Sequence, residues 1–186
     1  MNWINLLGYQ LTWFVTVGSV KYDRAWIGEL SALLFCAGQV LASKQRGLDM
    51  RLIASALLAG TVLDGALATT GLVSYASASP VVTVFGCPLW ILGLWAAFAT
   101  TLTRSLGWLR HRVWAAAVLG AVGGPLAYLG AARGWGALTL NEPSWRALLA
   151  LALGWAVALV ILVRVAADGS AGVSARDSGL ARSEFS

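Results

Sequence analysis

Asp64 is the clearest of the few side chains in this sequence that could do chemistry in an apolar environment. It lies between Leu63 and Gly65, in an apolar run that extends from Leu52 to Tyr75. A carboxylate at bilayer depth costs about 3 kcal/mol or more, so it usually faces a bundle interior or a polar cavity and finds a partner there. Such a group can hold a proton or a cation, or act as an acid or a base. Asp64 therefore marks a candidate site without identifying a reaction.

Glu29 and Arg133 are the charged residues expected at a similar depth. Counting from Arg51 at about 1.5 Å per residue places Asp64 roughly 20 Å into a hydrocarbon core of roughly 30 Å. Glu29 lies one turn inside the second apolar run, counted from the side of the membrane opposite Arg51. Arg133 follows the end of the fifth run on that same side. Our hypothesis is that Asp64 pairs with Arg133, with Glu29 nearby, in a polar pocket. The alternative is a neutral Asp64 that is hydrogen-bonded to Thr61 or to a neighbouring helix.

The usual catalytic and metal-binding groupings do not occur in the sequence. His111 is the only histidine and stands between two arginines, which favours a solvated cluster near lipid phosphates. Cys36 and Cys87 have no further Cys or His nearby, so they fall short of a metal site and are interpreted as small apolar fillers. We expect no catalytic residue, no metal and no cofactor. Acid and base chemistry by Asp64 and Glu29 stays an open alternative.

The elements that position these residues must be membrane helices, because the composition is not that of a soluble domain. Apolar residues make up 59% of the 186 residues and charged residues 11%, and the mean hydropathy is +0.75. Soluble domains carry about 25% charged residues. Six apolar runs approach the length of about 20 residues that crosses a bilayer. They are residues 3–20, 26–42, 52–73, 81–102, 113–132 and 145–165.

The predicted fold class is therefore all-α, a polytopic membrane bundle of six transmembrane helices over residues 1–166. Residues 167–186 are predicted to form a disordered cytoplasmic tail, because Gly, Ser, Asp and Arg replace Leu and Trp there. Nine Lys and Arg residues lie on the side shared by both termini and four on the other, which predicts that both termini are cytoplasmic. The net charge of +5 is dispersed over loop ends, so nucleic acid is not expected as a partner.

The fifth apolar run carries the clearest packing signals. Gly120 and Gly124 form a small-xxx-small pair, and Gly123, Gly124 and Pro125 lie near the middle of the run. Close helix packing is the favoured explanation, and it permits a homodimer or a membrane-protein partner without requiring one. The alternative is a broken helix that lines a cavity, as transporters use. Pro88, near the start of the fourth run, allows the same two interpretations.

Several uncommon stretches occur together in one order along the chain. They are residues 5–14 (NLLGYQLTWF), 63–65 (LDG), 94–102 (LWAAFATTL), 105–106, 108–109, 123–128 (GGPLAY), Arg133 and 136–137. In this order they resemble the bacterial multi-pass membrane proteins of the domain of unknown function 2878 family, over roughly residues 2–165. The resemblance implies an inner-membrane protein of unassigned activity, with genomic proximity to fatty-acid and lipid-modifying enzymes as an expectation. Family members tend to read Arg-Leu-Gly-Ala where this chain has RGWGA from Arg133, so an inserted residue should change the local geometry.

Two functions are consistent with these features. The first is an accessory or lipid-handling component of envelope or fatty-acid metabolism, with membrane lipids as partners. The second is a small carrier in which Asp64 binds a proton or a cation. A carrier normally offers more polar residues or an internal repeat, and the first three apolar runs show no convincing inverted repeat of the last three.

Overall fold

Six helices form the part of the protein that the structure describes. A computed structural model of the chain describes residues 3–76 and 82–183, with side chains as far as Gly169. In chain order the helices are α1 (Trp3–Lys21), α2 (Ala25–Leu41), α3 (Arg46–Thr69), α4 (Leu89–Ala99), α5 (Val113–Gly130) and α6 (Ser144–Ser183). A 3-10 turn at Gly107–His111 precedes α5, and a π-helical turn at Ala131–Trp135 follows it.

Two small antiparallel sheets lie at one end of the bundle, which we call the strand end. β1 (Val73–Tyr75) pairs with β4 (Leu138–Leu140), and β2 (Thr83–Val84) pairs with β3 (Cys87–Pro88). The β2–β3 connection is Phe85-Gly86, and both residues have positive φ, at 50° and 85°. This is the backbone of a type I′ hairpin turn. The all-α prediction did not include these strands, which carry the chain from α3 into α4 and from α5 into α6.

The helices surround α4. This helix contacts α1, α2 and α3, and α6 joins α3 to α5 on the other side. The other five helices expose large apolar side chains, whereas α4 exposes none. On α6 the exposed residues Leu149, Leu153, Val157 and Ile161 recur every fourth position, which gives the helix a continuous apolar outer stripe. The bundle therefore has an apolar exterior and one helix that is enclosed by protein.

Among the described residues, three helical segments are long and apolar enough to cross a membrane, namely Arg46–Thr69, Val113–Trp135 and Ser144–Gly169. The fourth predicted span, residues 81–102, is shorter than expected, because α4 has 11 residues and a length of about 16 Å. Pro88 precedes its first residue, and turns follow it. Pro88 and the turn residues Thr100 and Thr101 are buried, so the residues that directly flank α4 are covered by protein. Residue 81 lies outside the described residues.

The last helix continues past the boundary that the composition predicts. α6 runs to Ser183, so it extends into the segment from residue 167 that was expected to be disordered. No proline follows Pro143, and the sequence therefore contains no strong helix breaker in this segment. Residues 184–186 lie outside the described residues.

Candidate binding cavity and the Asp64 cluster

Asp64 is completely buried in α3 and accepts hydrogen bonds from three aromatic side chains. Tyr75 of β1 donates its hydroxyl to Oδ1 over 2.6 Å, and Trp95 of α4 donates its indole N–H to Oδ2 over 2.7 Å. Tyr128 of α5 donates its hydroxyl to the same Oδ1 atom as Tyr75. We call these four residues the Asp64 cluster. The cluster ties α3 to β1, α4 and α5 through one carboxylate.

The donors of the cluster are neutral groups that compensate for burying the carboxylate. The hydroxyl of a tyrosine has an ordinary pKa of about 10, so Tyr75 and Tyr128 keep their protons and can donate. An indole nitrogen can only donate. Hydrogen bonds to a charged group contribute about 1.5–3 kcal/mol each, and three of them counter much of the desolvation cost of a buried charge.

The structure shows no ion pair between Asp64 and Arg133 among the described residues. Within the described residues the one salt bridge joins Arg104 to Asp49, over 3.3 Å. Arg133 is exposed, and Glu29 is half-buried near the start of α2. The structure therefore does not join the three residues into a polar pocket. Aromatic hydrogen-bond donors take the place of the expected cation.

Glycines allow the indole rings near the cluster to stack in layers. Gly60 of α3 leaves the space that the ring of Trp95 occupies, and a Cβ added to Gly60 would collide with it. Trp95 stacks on Trp155 of α6, with ring centroids 4.0 Å apart and planes 10° apart. On α5, Gly120 lies against the backbone of Trp155 and Gly124 against its ring. The small-xxx-small pair thus packs within the chain, and the stack fixes the direction of the Trp95 indole.

A cavity of about 650 Å³ lies beside this stack, between α1 and α5, with α4 and α6 behind it. We call it the lateral cavity. Its walls include Tyr9, Trp90, Gly123 and Trp155, and no Lys, Arg, His, Asp or Glu is found among the described residues that line it. Phe14 on α1 and Leu126 on α5 belong to the lining and are 45% and 60% exposed. The cavity therefore opens sideways, toward the apolar exterior of the bundle.

α5 forms one wall of the lateral cavity without breaking. The helix is continuous through Pro125, so the alternative of a broken helix is not the geometry found. Gly120, Gly123 and Gly124 all line the cavity, but a Cβ added to Gly123 would meet no atom within 4 Å. Gly124 therefore serves packing, whereas Gly123 leaves open space. Pro88 stands at the N-cap of α4, where proline disturbs no helical hydrogen bond.

Two residues that line the cavity have buried indole N–H groups without a hydrogen-bond partner among the residues that the structure describes. These groups belong to Trp90, which is 3% exposed, and to Trp155, whose Nε1 atom is buried. Buried polar groups in proteins are nearly always paired. An unpaired one costs about 1–3 kcal/mol. These two donors are therefore covered by the packing around the cavity and are unsatisfied within the described part of the chain.

The π-helical turn after α5 closes one end of the cavity. Such a turn accommodates one extra residue in a helix, and the insertion beside Arg133 relative to other family members stays a prediction. The turn directs Trp135 toward α1, where a Cβ added to Gly18 would lie 3.2 Å from its ring. The rings of Trp135 and Phe14 are 6.3 Å apart. Gly136 follows the turn with a φ of 64°, which favours glycine.

A second buried polar network lies at the opposite end of α4. Nη2 of Arg104 donates to the carbonyl oxygen of Gln39 over 2.6 Å and lies 3.3 Å from Oδ2 of Asp49. Asn5 donates to the side chain of Gln39 and accepts from Ser105. These groups satisfy one another, so the network joins α1, α2 and α3 to the segment after α4 and has a structural role.

Sequence reasoning missed the residues that hold Asp64. Trp95 and Tyr128 lie inside predicted spans, where an indole N–H or a hydroxyl needs a hydrogen-bond partner. This need was the sequence feature that could have identified them as donors to Asp64. Tyr75 follows a span and carried no comparable signal. Within the described residues no three His, Cys, Asp or Glu side chains lie close enough to hold a metal ion.

A family model described as protein of unknown function (DUF2878) matches residues 2–161. The chain belongs to this family. The matched range contains the whole Asp64 cluster and every residue that lines the lateral cavity, so both features lie in the domain that defines DUF2878. Comparisons with curated proteins and with solved structures found no match.

Proposed function

We propose that this DUF2878 protein is a multi-pass membrane protein that binds the hydrocarbon chain of a lipid in the lateral cavity. The observation that carries the proposal is the cavity itself, which has a volume of about 650 Å³, an uncharged lining and an opening between α1 and α5. Its volume lies in the range of about 300–1,000 Å³ that is typical of ligand sites. The lateral opening suits a ligand that arrives from the bilayer rather than from water.

The outer surface of the bundle supports the placement in a membrane. A continuous apolar exterior of this extent is typical of lipid-facing surfaces. Trp3, Trp26, Trp114 and Trp145 stand at the first turns of four helices and are between 59% and 73% exposed, as an interfacial aromatic belt requires. In the proposed arrangement all six helices belong to the membrane domain, and α4 is enclosed by the others.

The proposed orientation places both termini in the cytoplasm of a bacterium, with the strand end facing the periplasm. It rests on the basic residues, nine of which belong to the side shared by the termini and four to the other. This orientation puts the Asp64 cluster in the periplasmic half of the inner membrane. A role in lipid handling for the envelope or for fatty-acid metabolism follows from the cavity rather than from the cluster.

The geometry does not favour the carrier alternative. Both carboxylate oxygens of Asp64 are already bonded, and the residue is not exposed. A site that takes up and releases a cation needs oxygen ligands that are open to the pathway. The cluster instead has the geometry of a structural hydrogen-bond network that connects neighbouring helices.

The proposal is tested by photolabelling in nanodiscs of phosphatidylethanolamine and phosphatidylglycerol, doped with a phospholipid that carries a diazirine on one acyl chain. After irradiation, labelled residues are located by mass spectrometry. Lipid in the lateral cavity should label Leu159, which is 1% exposed and lines the cavity. Lipid around the bundle should label Leu153 and Val157, which are 61% and 60% exposed on the same helix. Label on the exposed pair without label on Leu159 would count against the proposal.

A further inference from the structure

A second cleft adjoins the lateral cavity at the strand end of the bundle, and we call it the strand-end cleft. It lies between the last turn of α1 and the start of α2 and has a volume of about 650 Å³. Phe14 and Trp135 line both the strand-end cleft and the lateral cavity. The two spaces are therefore neighbours, and a ligand of sufficient length can reach both.

The two spaces follow α1 over a length that suits a lipid. The lining that this helix contributes runs from Leu6 in the lateral cavity to Ser19 in the strand-end cleft. At about 1.5 Å per residue this is roughly 20 Å along the helix axis. The hydrocarbon of one leaflet is about 15 Å deep, half of a core of about 30 Å. A lipid with an acyl chain in the lateral cavity can therefore place its head group in the strand-end cleft.

Aromatic side chains at the strand-end cleft are typical of the level of lipid head groups. Tyr22 lines the cleft and is exposed, and Trp26 is exposed in the first turn of α2 beside it. Exposed Tyr and Trp side chains at helix ends are enriched at the interface between hydrocarbon and water. In the proposed membrane arrangement the cleft thus lies at the head groups, and the lateral cavity lies deeper.

The strand-end cleft carries positive charge, which the described lining of the lateral cavity lacks. Arg24 is exposed and is the one charged side chain among the described residues that line the cleft. Lys21 is exposed at its border, with Nζ 5.9 Å from the ring centroid of Trp135. Neither cation belongs to the one salt bridge found within the described residues, and Asp23, in the same turn, does not line the cleft. Both cations can therefore reach an anion that enters the cleft.

We infer that the strand-end cleft binds the negatively charged head group of a phospholipid whose acyl chain occupies the lateral cavity. Arg24 is the main contact, because a guanidinium can hold a phosphate through two parallel hydrogen bonds, and Lys21 adds charge at the border. A head group of net negative charge is favoured over a zwitterionic one, because the same two cations repel the ammonium of the zwitterion. The inference rests on the proposed lipid-binding function and specifies the class of lipid.

The test uses photolabelling with two phospholipids that differ only in their head groups. Phosphatidylglycerol and phosphatidylcholine with the same diazirine-bearing acyl chain are mixed in equal amounts into phosphatidylcholine nanodiscs that hold the full chain. The two adducts differ in mass, so mass spectrometry gives the ratio of phosphatidylglycerol label to phosphatidylcholine label at each residue.

The head-group preference of the cavity is the ratio at Leu159 divided by the ratio at Leu153. Leu159 lines the lateral cavity, and Leu153 is exposed on the same helix, so the division removes any general enrichment of anionic lipid around the protein. The preference should be about fivefold or more, since each Lys or Arg near anionic lipid contributes about 1 kcal/mol.

Single variants assign the preference to the two cations. Arg24→Gln should lower it about three- to fivefold, and Lys21→Gln should lower it by a smaller factor, while total label on Leu159 persists in both. Arg146→Gln is the matched control and should keep the full preference. Arg146 is exposed at the start of α6, with its guanidinium over the ring of Trp145, and lines neither space. Circular dichroism of each variant checks that the helices remain intact.

A soluble phosphate is the other source of the same chemistry. An excess of glycerol phosphate in the buffer should change the head-group preference no more than sodium chloride of equal ionic strength does. Loss of the preference in glycerol phosphate alone would show that the cleft takes a soluble anion and would overturn the inference.

The outcomes separate the inference from the function on which it rests. Equal label on Leu159 from the two lipids in the native protein, or an unchanged preference in both Arg24→Gln and Lys21→Gln, would overturn the inference alone. An equal loss of preference in Arg146→Gln would also overturn it, because the general charge of the strand end would then be the cause. Absence of label on Leu159 from either lipid would overturn lipid binding in the lateral cavity as well.

Discussion

Asp64→Ala should destabilise the protein because it removes the acceptor of three buried donors at once. Tyr75 and Tyr128 donate to the same carboxylate oxygen, so their hydroxyls are neighbours and one of them can recover a partner by donating to the other. Trp95 and the remaining hydroxyl are left unpaired. At about 1–3 kcal/mol for each unsatisfied group, the free energy of unfolding should fall by about 2–6 kcal/mol.

Asp64→Asn should be much milder, and the contrast between the two variants is the core of the prediction. The amide oxygen can accept from Trp95 while the amide nitrogen donates to the two hydroxyls, so every group keeps a partner. The loss is then the difference between charge-assisted and neutral hydrogen bonds, about 1–2 kcal/mol.

The assay is reversible unfolding in mixed micelles of dodecyl maltoside and dodecyl sulfate, followed by circular dichroism. A double-mutant cycle between Asp64→Ala and Trp95→Phe should give a coupling free energy of about 1 kcal/mol or more. The reasoning would be refuted if Asp64→Ala unfolded within about 0.5 kcal/mol of the native protein, or if Asn destabilised it as much as Ala.

Three further predictions concern other buried contacts. Gly60→Ala should lower the free energy of unfolding by about 1–3 kcal/mol, because its new methyl group collides with the ring of Trp95. Asp49→Ala should cost about 3 kcal/mol in the same assay, since it leaves the guanidinium of Arg104, 14% exposed, without its carboxylate. Burial raises the pKa of the Cys87 thiol, which is also inaccessible, so iodoacetamide at pH 8 should alkylate Cys87 only after unfolding, as measured by mass spectrometry.

Each of these has a matched control or a contrary outcome. Gly38→Ala adds a methyl group that meets no atom within 4 Å, so it should leave stability unchanged or raise it by up to about 1 kcal/mol. Similar behaviour of Gly60→Ala and Gly38→Ala would contradict the packing argument. A native-like Asp49→Ala variant would show that the ion pair contributes nothing. Alkylation of Cys87 at the same rate in folded and unfolded protein would contradict its burial.

Apolar runs predicted most helices well, because a run of about 20 apolar residues is long enough to form one continuous helix. α5 begins at the predicted residue, Val113, and α2 is displaced from its predicted range by one residue. α4 is the exception. Residues 81–102 contain no charged residue, but hydropathy does not distinguish one long helix from a hairpin that is followed by a short helix and turns.

The partners of Asp64 could not be predicted from the sequence. Its depth could be estimated from one helix, and α3 does place it near the strand end. Its three donors lie 11, 31 and 64 residues away along the chain, on a strand and two other helices. No pattern in the sequence states which helices are neighbours, so the alternative of a hydrogen bond to a neighbouring helix could not identify Trp95 or Tyr128 as the donors.

The lateral cavity could not be predicted from the sequence either, although the glycines that contribute to it could be identified. The glycines of α5 were noted as packing signals, and Gly124 does receive Trp155. Gly123, the residue before Gly124, is also a glycine but faces open space. Only the arrangement of α1 and α5 around the stack decides which glycine packs and which lines a cavity.

The most direct test of the proposed function compares Gly123→Leu with Gly38→Leu in the photolabelling experiment. A leucine at Gly123 fills part of the cavity without a clash at its Cβ, and a leucine at Gly38 adds the same volume on the exposed face of α2. Lipid binding in the lateral cavity predicts that the label on Leu159 is lost in Gly123→Leu and retained in Gly38→Leu, with label on Leu153 unchanged in both. Undiminished label on Leu159 in Gly123→Leu would contradict it.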